Sequence, residues 1–477
     1  MSNLFLLCLV IITINIISDP LILKFSSRFS IDDENDVMKS LINNYIYTSF
    51  IVGSNKQQME MSIRTQKGST FLVSASCTDN AKAKKFNHSQ SESYNETFPK
   101  KPYYMYEYEG AVSTDDFIIY QNNNVKIEMK DYKFMLVNRL WDSYQEYLGG
   151  MIGLLLQTSE VGQEQPPEQT DFIKQLKEKN KTNSYVFTLV YEDDFNGKLY
   201  VGDYLHEFNK SYSKNDFIST KAGIEDSKVK NWEINIEKIL SENTLVQSKT
   251  HLRLYYEYGI IAGTESYKAY INQSFFKNYF EKGICQEKLN LESMAAFDKY
   301  KYIVCDKNNF DKSTFPNLSF YNVEMNMNFT LSHEDLFYEH KNKIYFLIIF
   351  PIYGITVDYW LIGKPFIKKY ILSLDKDKKI IGLYLNYTES QEEKQERERT
   401  DVEDGNRIKY IVIIIILSLV LIIAIGSLLY YFLVYKKSRR KRANELVDDT
   451  DYIAQEENKE EKNTVNLEQI IYKLIKS

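Results

Sequence analysis

Residues 410–435 read YIVIIIILSLVLIIAIGSLLYYFLVY and carry no charge. No other feature narrows the options of this chain as much. As a helix the run is about 39 Å long, enough to cross a bilayer with some tilt. An isolated segment in hydrocarbon can satisfy its backbone only as a helix. Tyr410, Tyr430, Tyr431 and Tyr435 stand where an aromatic belt lies, and Lys436, Lys437, Arg439, Arg440, Lys441 and Arg442 follow at once. Basic flanks stay cytoplasmic. The pattern therefore predicts a single-pass type I membrane protein, with 409–435 as the transmembrane helix and 436–477 as the cytoplasmic tail. A buried core helix is the alternative, and the length and flanks argue against it. A second apolar run, residues 4–17, is too short to span comfortably. Residues 1–18 read as a secretory signal peptide, the alternatives being an uncleaved anchor or a buried strand. The membrane is then the cell surface or one of the endomembrane or vacuolar system.

The part between these runs is long enough to bury a large core. The formal net charge of −6 argues against a nucleic-acid partner. Residues 19–40 form a short N-terminal lead. Residues 41–386 alternate short β-rich runs with turn signals, which predicts a mostly-β fold with minor helices. Residues 388–408 are almost wholly charged or polar and read as a stalk before the membrane. Cys8 lies in the signal region. In an oxidising compartment Cys285 and Cys305 can close a loop, worth about 3 kcal/mol in the chain-entropy view. Cys77 is left odd, as a free buried thiol or an intermolecular link. Sequons mark Asn87, Asn95, Asn180, Asn209, Asn272, Asn317, Asn328 and Asn386 as glycosylation candidates, all on the expected lumenal side.

The closing run YWLIGKPFIKKYILSLDKDKKIIGLYLNY, residues 359–387, resembles the last segment of pepsin-like (A1) aspartic proteases. Trp360, Leu361, Ile362, Gly363, Phe366, Tyr370, Asp375, Ile381 and Gly382 carry the likeness. Other elements follow the family's order. Tyr47, Ile51, Val52, Gly53 and Gln57 fit its opening strand pair; residues 85–94, KFNHSQSESY, resemble its K-F-x-P-S-x-S-S-T-Y without the proline. Residues 150–154, GMIGL, look like G-I-L-G-L; residues 197–202 look like the hairpin before the second lobe; Trp232 fits the W-x-V strand. Cys285 and Cys305 sit where the second lobe carries a disulfide. The resemblance implies a bilobal pepsin-like acid protease fold, with an N-terminal lobe over 41–205 and a C-terminal lobe over 206–387. It also implies a cleft for a peptide or protein ligand, with Tyr106 or Tyr108 as the flap tyrosine.

Family chemistry needs two carboxyls about 3 Å apart that share one proton, one acting as base and the other as acid. Each sits in an Asp-Thr/Ser-Gly turn, and this chain contains no such triplet. Seven residues past Gln57, where the first aspartate belongs, stands Arg64, followed by Thr65 and by Gln66 in place of glycine. Anchoring the second turn on Ile260, Ile261, Ala262 and Gly263 puts Tyr255 at the aspartate position and Glu257 at the glycine; an anchor shifted by two puts Glu257 there instead. Arginine cannot act as a base at any working pH, and tyrosine, with an ordinary pKa of about 10, stays neutral. The expectation is a catalytically inactive member. Arg64, Thr65, Tyr106, Tyr108, Tyr255 and Glu257 are its candidate cleft residues, and the Arg64 charge suits an acidic peptide. The alternatives are an active membrane-anchored aspartic endopeptidase, which family resemblance alone would favour, and a sorting receptor. For the latter, Tyr472 to Ile475 form a Tyr-x-x-apolar pattern for a cytoplasmic adaptor, or else part of an amphipathic helix. The five histidines are scattered, with no His-Glu-x-x-His and no Cys-x-x-Cys, and no dinucleotide loop is present, so no metal or cofactor is expected.

Overall fold

A computed structural model describes residues 20–27, 37–42, 45–77, 84–96, 103–104, 108–121, 126–140, 149–156, 168–223, 231–256, 258–290, 299–352 and 359–385. The signal region, stalk, transmembrane run and tail expected from the sequence lie outside these residues, as do Cys8, Tyr106, Glu257, Asn386, Tyr472 and Ile475. Among the described residues no helix is long and apolar enough to cross a membrane.

The described chain is mostly strand, as the short alternating runs predict, and fits the bilobal architecture that the resemblance implies. Its strands form a 14-stranded and an 11-stranded sheet. Period-2 burial is plain in Thr244–Leu254, whose last five residues alternate between buried and half-buried. That strand returns on Glu233–Ser241 through a two-residue turn, where Glu242 takes φ +51°. A two-residue hairpin turn demands such left-handed backbone.

The larger sheet draws strands from both ends of the chain. Phe217–Lys221, Ile380–Tyr384 and Leu372–Asp375 run into Val186–Tyr191, Asn196–Val201 and Leu21–Ser27, and only then into Ile46–Val52 and Gln57–Arg64. Leu21–Ser27 pairs along its length with Asn196–Val201, Leu21 facing Val201 and Phe25 facing Gly197. The N-terminal stretch is thus more than a polar lead. It supplies an interior strand, and after it a short helix, Val37–Ile42.

The smaller sheet is built around Glu233–Ser241, Thr244–Leu254, Tyr359–Ile362 and Ile348–Pro351. Cys285 and Cys305 are bonded, and they face each other across the Cys285–Asn290 and Tyr300–Asp306 pair. Nearby, the π-helical turn Asn272–Phe276 lets the adjacent Phe275 and Phe276 both reach Phe310 and Phe315. Cys77 forms no disulfide among the described residues and is buried among Phe71, Val73, Val112 and Val137.

Candidate functional site

One local design occurs twice. Gln57–Arg64 runs parallel to Gly150–Gly153, with Ile63 beside Ile152 and Arg64 beside Gly153. Thr244–Leu254 runs parallel to Tyr359–Ile362, with Leu254 beside Ile362 and Gly363 next in the chain. In both places a strand ends in a turn against an Ile-Gly pair. Both glycines are required by close approach. A Cβ on Gly153 would lie 2.5 Å from the Lys67 carbonyl oxygen, and one on Gly363 would lie 2.3 Å from the Tyr258 carbonyl oxygen. Lys67 is three residues past Arg64, and Tyr258 is three past Tyr255, so the two turns match residue for residue at that offset. Each carbonyl also accepts from an amide just past its glycine: Leu155 N–H, two residues past Gly153, donates to Lys67 O at 2.8 Å, and Lys364 N–H, one residue past Gly363, to Tyr258 O at 2.7 Å.

A single buried hydroxyl joins the turns. Thr65 Oγ1 donates to the Leu254 carbonyl at 3.1 Å and accepts from the Tyr256 amide at 3.3 Å. These two groups flank Tyr255, so Arg64–Thr65 lies against Leu254–Tyr256. Trp232 ties in the frame behind. Its indole N–H donates to Leu154 O at 2.7 Å, and its carbonyl accepts from the Leu254 amide at 2.9 Å. Gln66 Nε2 donates to the Tyr258 phenol at 3.4 Å.

The side chains at the paired positions are a guanidinium and a phenol. Arg64 is only 3% exposed, and its Cζ lies 3.8 Å from the centre of the Tyr45 ring. A flat, weakly hydrated cation on a ring face is a favourable cation–π contact. Tyr255 is half-buried and stacks on Tyr258, with centroids 5.3 Å apart and planes 15° apart. Tyr256 is fully buried, and its hydroxyl has no hydrogen-bond partner among the described residues. Burial pushes that phenol well above its ordinary pKa. Neither a guanidinium nor a phenol is a carboxyl, so the two side chains differ in charge and in proton chemistry from a pair of acids.

Tyr45 and the helix before it were not among the residues singled out from the sequence. Val37, Met38, Leu41 and Ile42 are buried against the same apolar cluster as Tyr45, Tyr258, Ile260 and Leu361. The Gly259 amide donates to Leu41 O at 3.0 Å. The signal was present in the sequence: apolar residues at 37, 38, 41 and 42 have helical spacing.

The remaining candidates fall elsewhere. Tyr103–Tyr104 pairs with Gly110 and Glu109, making a hairpin at the place expected for the flap. Its tip, with Tyr106, lies outside the described residues, and Tyr108 is described in backbone only. Asn95, Asn180 and Asn328 are exposed, and Asn87, Asn209, Asn272 and Asn317 are half-buried. Lys364, just past Gly363, is half-buried with its ammonium 5.5 Å from the ring centres of Tyr191 and Phe195, and burial pulls its pKa down to about 8.

Comparison with known proteins agrees with the doubled turn. The sequence model of one protein family, described as eukaryotic aspartyl protease, matches residues 45–385. No curated protein matches the chain.

Proposed function

The chain belongs to the eukaryotic aspartyl protease family, and we propose that it is a non-catalytic member that binds a peptide or protein instead of cleaving one. One observation carries this reading. Thr65 clamps the chain on both sides of Tyr255, which brings Arg64 and Tyr255 to the two matching turn positions. Family chemistry needs two carboxyls there, and the side chains present are a buried cation and a phenol. The matching three-residue offsets to Lys67 and Tyr258 favour Tyr255 over Glu257 as the partner of Arg64.

The proposal includes the setting. Residues 410–435 anchor the protein as a single-pass type I glycoprotein, with the folded domain extracellular or lumenal and the tail cytoplasmic. Tyr472 and Ile475 would then face cytoplasmic sorting adaptors. Resistance to alkaline carbonate extraction and glycosidase-sensitive mobility are the expected results for the full chain.

The decisive experiment is a peptide library incubated with the purified protein between pH 3 and 7. No cleavage is expected. Cleavage that pepstatin blocks, and that survives repurification, would overturn the reading and restore an active aspartic endopeptidase.

A further inference from the structure

The proposed lumenal setting leaves open which sequons carry sugar and what a sugar does there, and the smaller sheet supplies an answer. We infer that Asn328 carries an N-linked oligosaccharide that closes the open edge of this sheet. The inference rests on the proposed lumenal placement of the domain.

Met327–Leu331 is the last strand at one end of that sheet, and among the described strands it pairs with Leu318–Asn322 alone. An unpaired edge offers its amides and carbonyls to any other strand. Thr330 shows which groups face outward. Its amide donates to the Tyr370 hydroxyl at 2.6 Å, and its carbonyl accepts from that hydroxyl at 3.0 Å, so both point away from Leu318–Asn322. In an antiparallel pair the backbone two residues along points the same way. That residue is Asn328, which stands opposite Tyr321 in the register. Tyr370 covers Thr330, and no described residue covers the Asn328 amide or carbonyl. The Asn328 side chain is exposed, between the half-buried Met327 and the buried Phe329. Val323, exposed in the turn of the same hairpin, adds apolar surface beside the edge.

Two other edges are closed with charge. On Phe217–Lys221, which ends the larger sheet, the Glu324 carboxylate accepts from the Lys221 amide at 3.0 Å and from the Thr220 hydroxyl. On Phe337–His340, at the far end of the smaller sheet, Glu339 pairs with Lys307 at 2.8 Å and with Lys312 at 2.5 Å. Met327–Leu331 carries no charged residue; it carries the sequon Asn328-Phe329-Thr330 instead. In the modification, the asparagine Nδ2 attacks the anomeric carbon C1 of an oligosaccharide held on a polyprenyl diphosphate. The C1–N bond forms as the C1–O bond breaks, the diphosphate leaves, and an amide proton is released. The product is a bulky, polar group fixed to the surface. At Asn328 it stands over the open amide and carbonyl and bars a second strand from pairing there. Asn180 is exposed as well, but it follows the helix Phe172–Glu178 and lies on no strand, so a sugar there closes no edge.

The test makes the full chain in a eukaryotic secretory host and purifies it in detergent. An amidase that releases N-glycans leaves aspartate behind, and peptide mass spectrometry then reads position 328. Aspartate is expected there. Self-association is next compared by analytical ultracentrifugation for the wild type, Asn328→Gln, Asn328→Lys and Asn180→Gln. Asn328→Gln should self-associate at least tenfold more tightly than the wild type, and Asn180→Gln should not. Asn328→Lys loses the sugar but puts a charge on the edge, so it should behave as the wild type. Should Asn328→Gln not fold, enzymatic deglycosylation of folded wild type and folded Asn328→Lys gives the same comparison, with only the former associating. The inference is overturned if position 328 is recovered as asparagine while other sequons are modified. It is also overturned if loss of this sugar leaves association unchanged, or if Asn180→Gln raises it equally. Those results leave the lumenal placement standing. If no sequon is modified, the lumenal placement falls and the inference falls with it.

Discussion

Replacing Thr65 by valine keeps its shape and removes its hydroxyl, so it isolates the joint between the two turns. The hydroxyl makes two hydrogen bonds, to Leu254 O at 3.1 Å and from Tyr256 N at 3.3 Å. All three residues are buried, at 1%, 2% and 0% exposure, so water cannot replace the lost partner. A buried polar group left without its partner costs about 1–3 kcal/mol, and two groups are stranded here, giving about 2–6 kcal/mol. With an m-value of about 3 kcal/mol/M, the urea midpoint of the purified protein falls by about 1–2 M. Thr65→Ser keeps the oxygen and loses one methyl, a cost of about 1 kcal/mol. The order of midpoints is therefore wild type, then serine, then valine well below. Far-UV and tryptophan signals should follow one another, because Trp232 bonds to the same frame. If valine unfolds within about 0.5 kcal/mol of the wild type, or if serine costs as much as valine, the hydroxyl does not join the turns.

Three further outcomes follow from the same structure. Tyr256→Phe removes a buried hydroxyl that has no partner among the described residues, so the variant should be about 1 kcal/mol more stable by urea titration. Gly363→Ala should abolish accumulation of folded protein, because its Cβ would meet backbone oxygens of Tyr258 and Ile260 at 2.3 Å, whereas Gly283→Ala, with nothing within 4 Å, should cost little beyond the strain of its φ of +67°. Asp203 has its pKa pushed up to about 6, chiefly by burial, with the Asn183 hydrogen bond opposing and Glu207 adding to the rise. The folded protein therefore keeps a proton that the unfolded chain loses from about pH 4 upward, and stability falls as pH rises through that window. Asp203→Asn should match the wild type near pH 3.5 and exceed it at pH 7 in denaturation midpoint.

Much of the architecture was legible because it is written locally. Period-2 burial is plain in the end of Thr244–Leu254 and in Leu318–Asn322, and Ile46–Val52, Gln57–Arg64 and Tyr359–Ile362 stand where the family resemblance puts strands. The Cys285–Cys305 bond was open to inspection too, since the two lie 20 residues apart and sit where the resemblance puts the second lobe's disulfide. The helix at 37–42 was written just as locally, but it falls inside a stretch that reads as polar lead. Only the apolar cluster beneath it gives its apolar face a reason.

The sequence by itself determined the class of fold, the order of its elements and the absence of any Asp-Thr-Gly or Asp-Ser-Gly turn, because each depends on residues close together in the chain. It could not choose between Tyr255 and Glu257 as the residue opposite Arg64. That choice depends on Thr65 reaching Leu254, 189 residues away. It could not place Tyr45 on Arg64 or Leu41 beneath Gly259 either. A local pattern fixes which face of an element is apolar. Which distant face covers it is decided only when the strands close and every buried amide and carbonyl must find a partner at once.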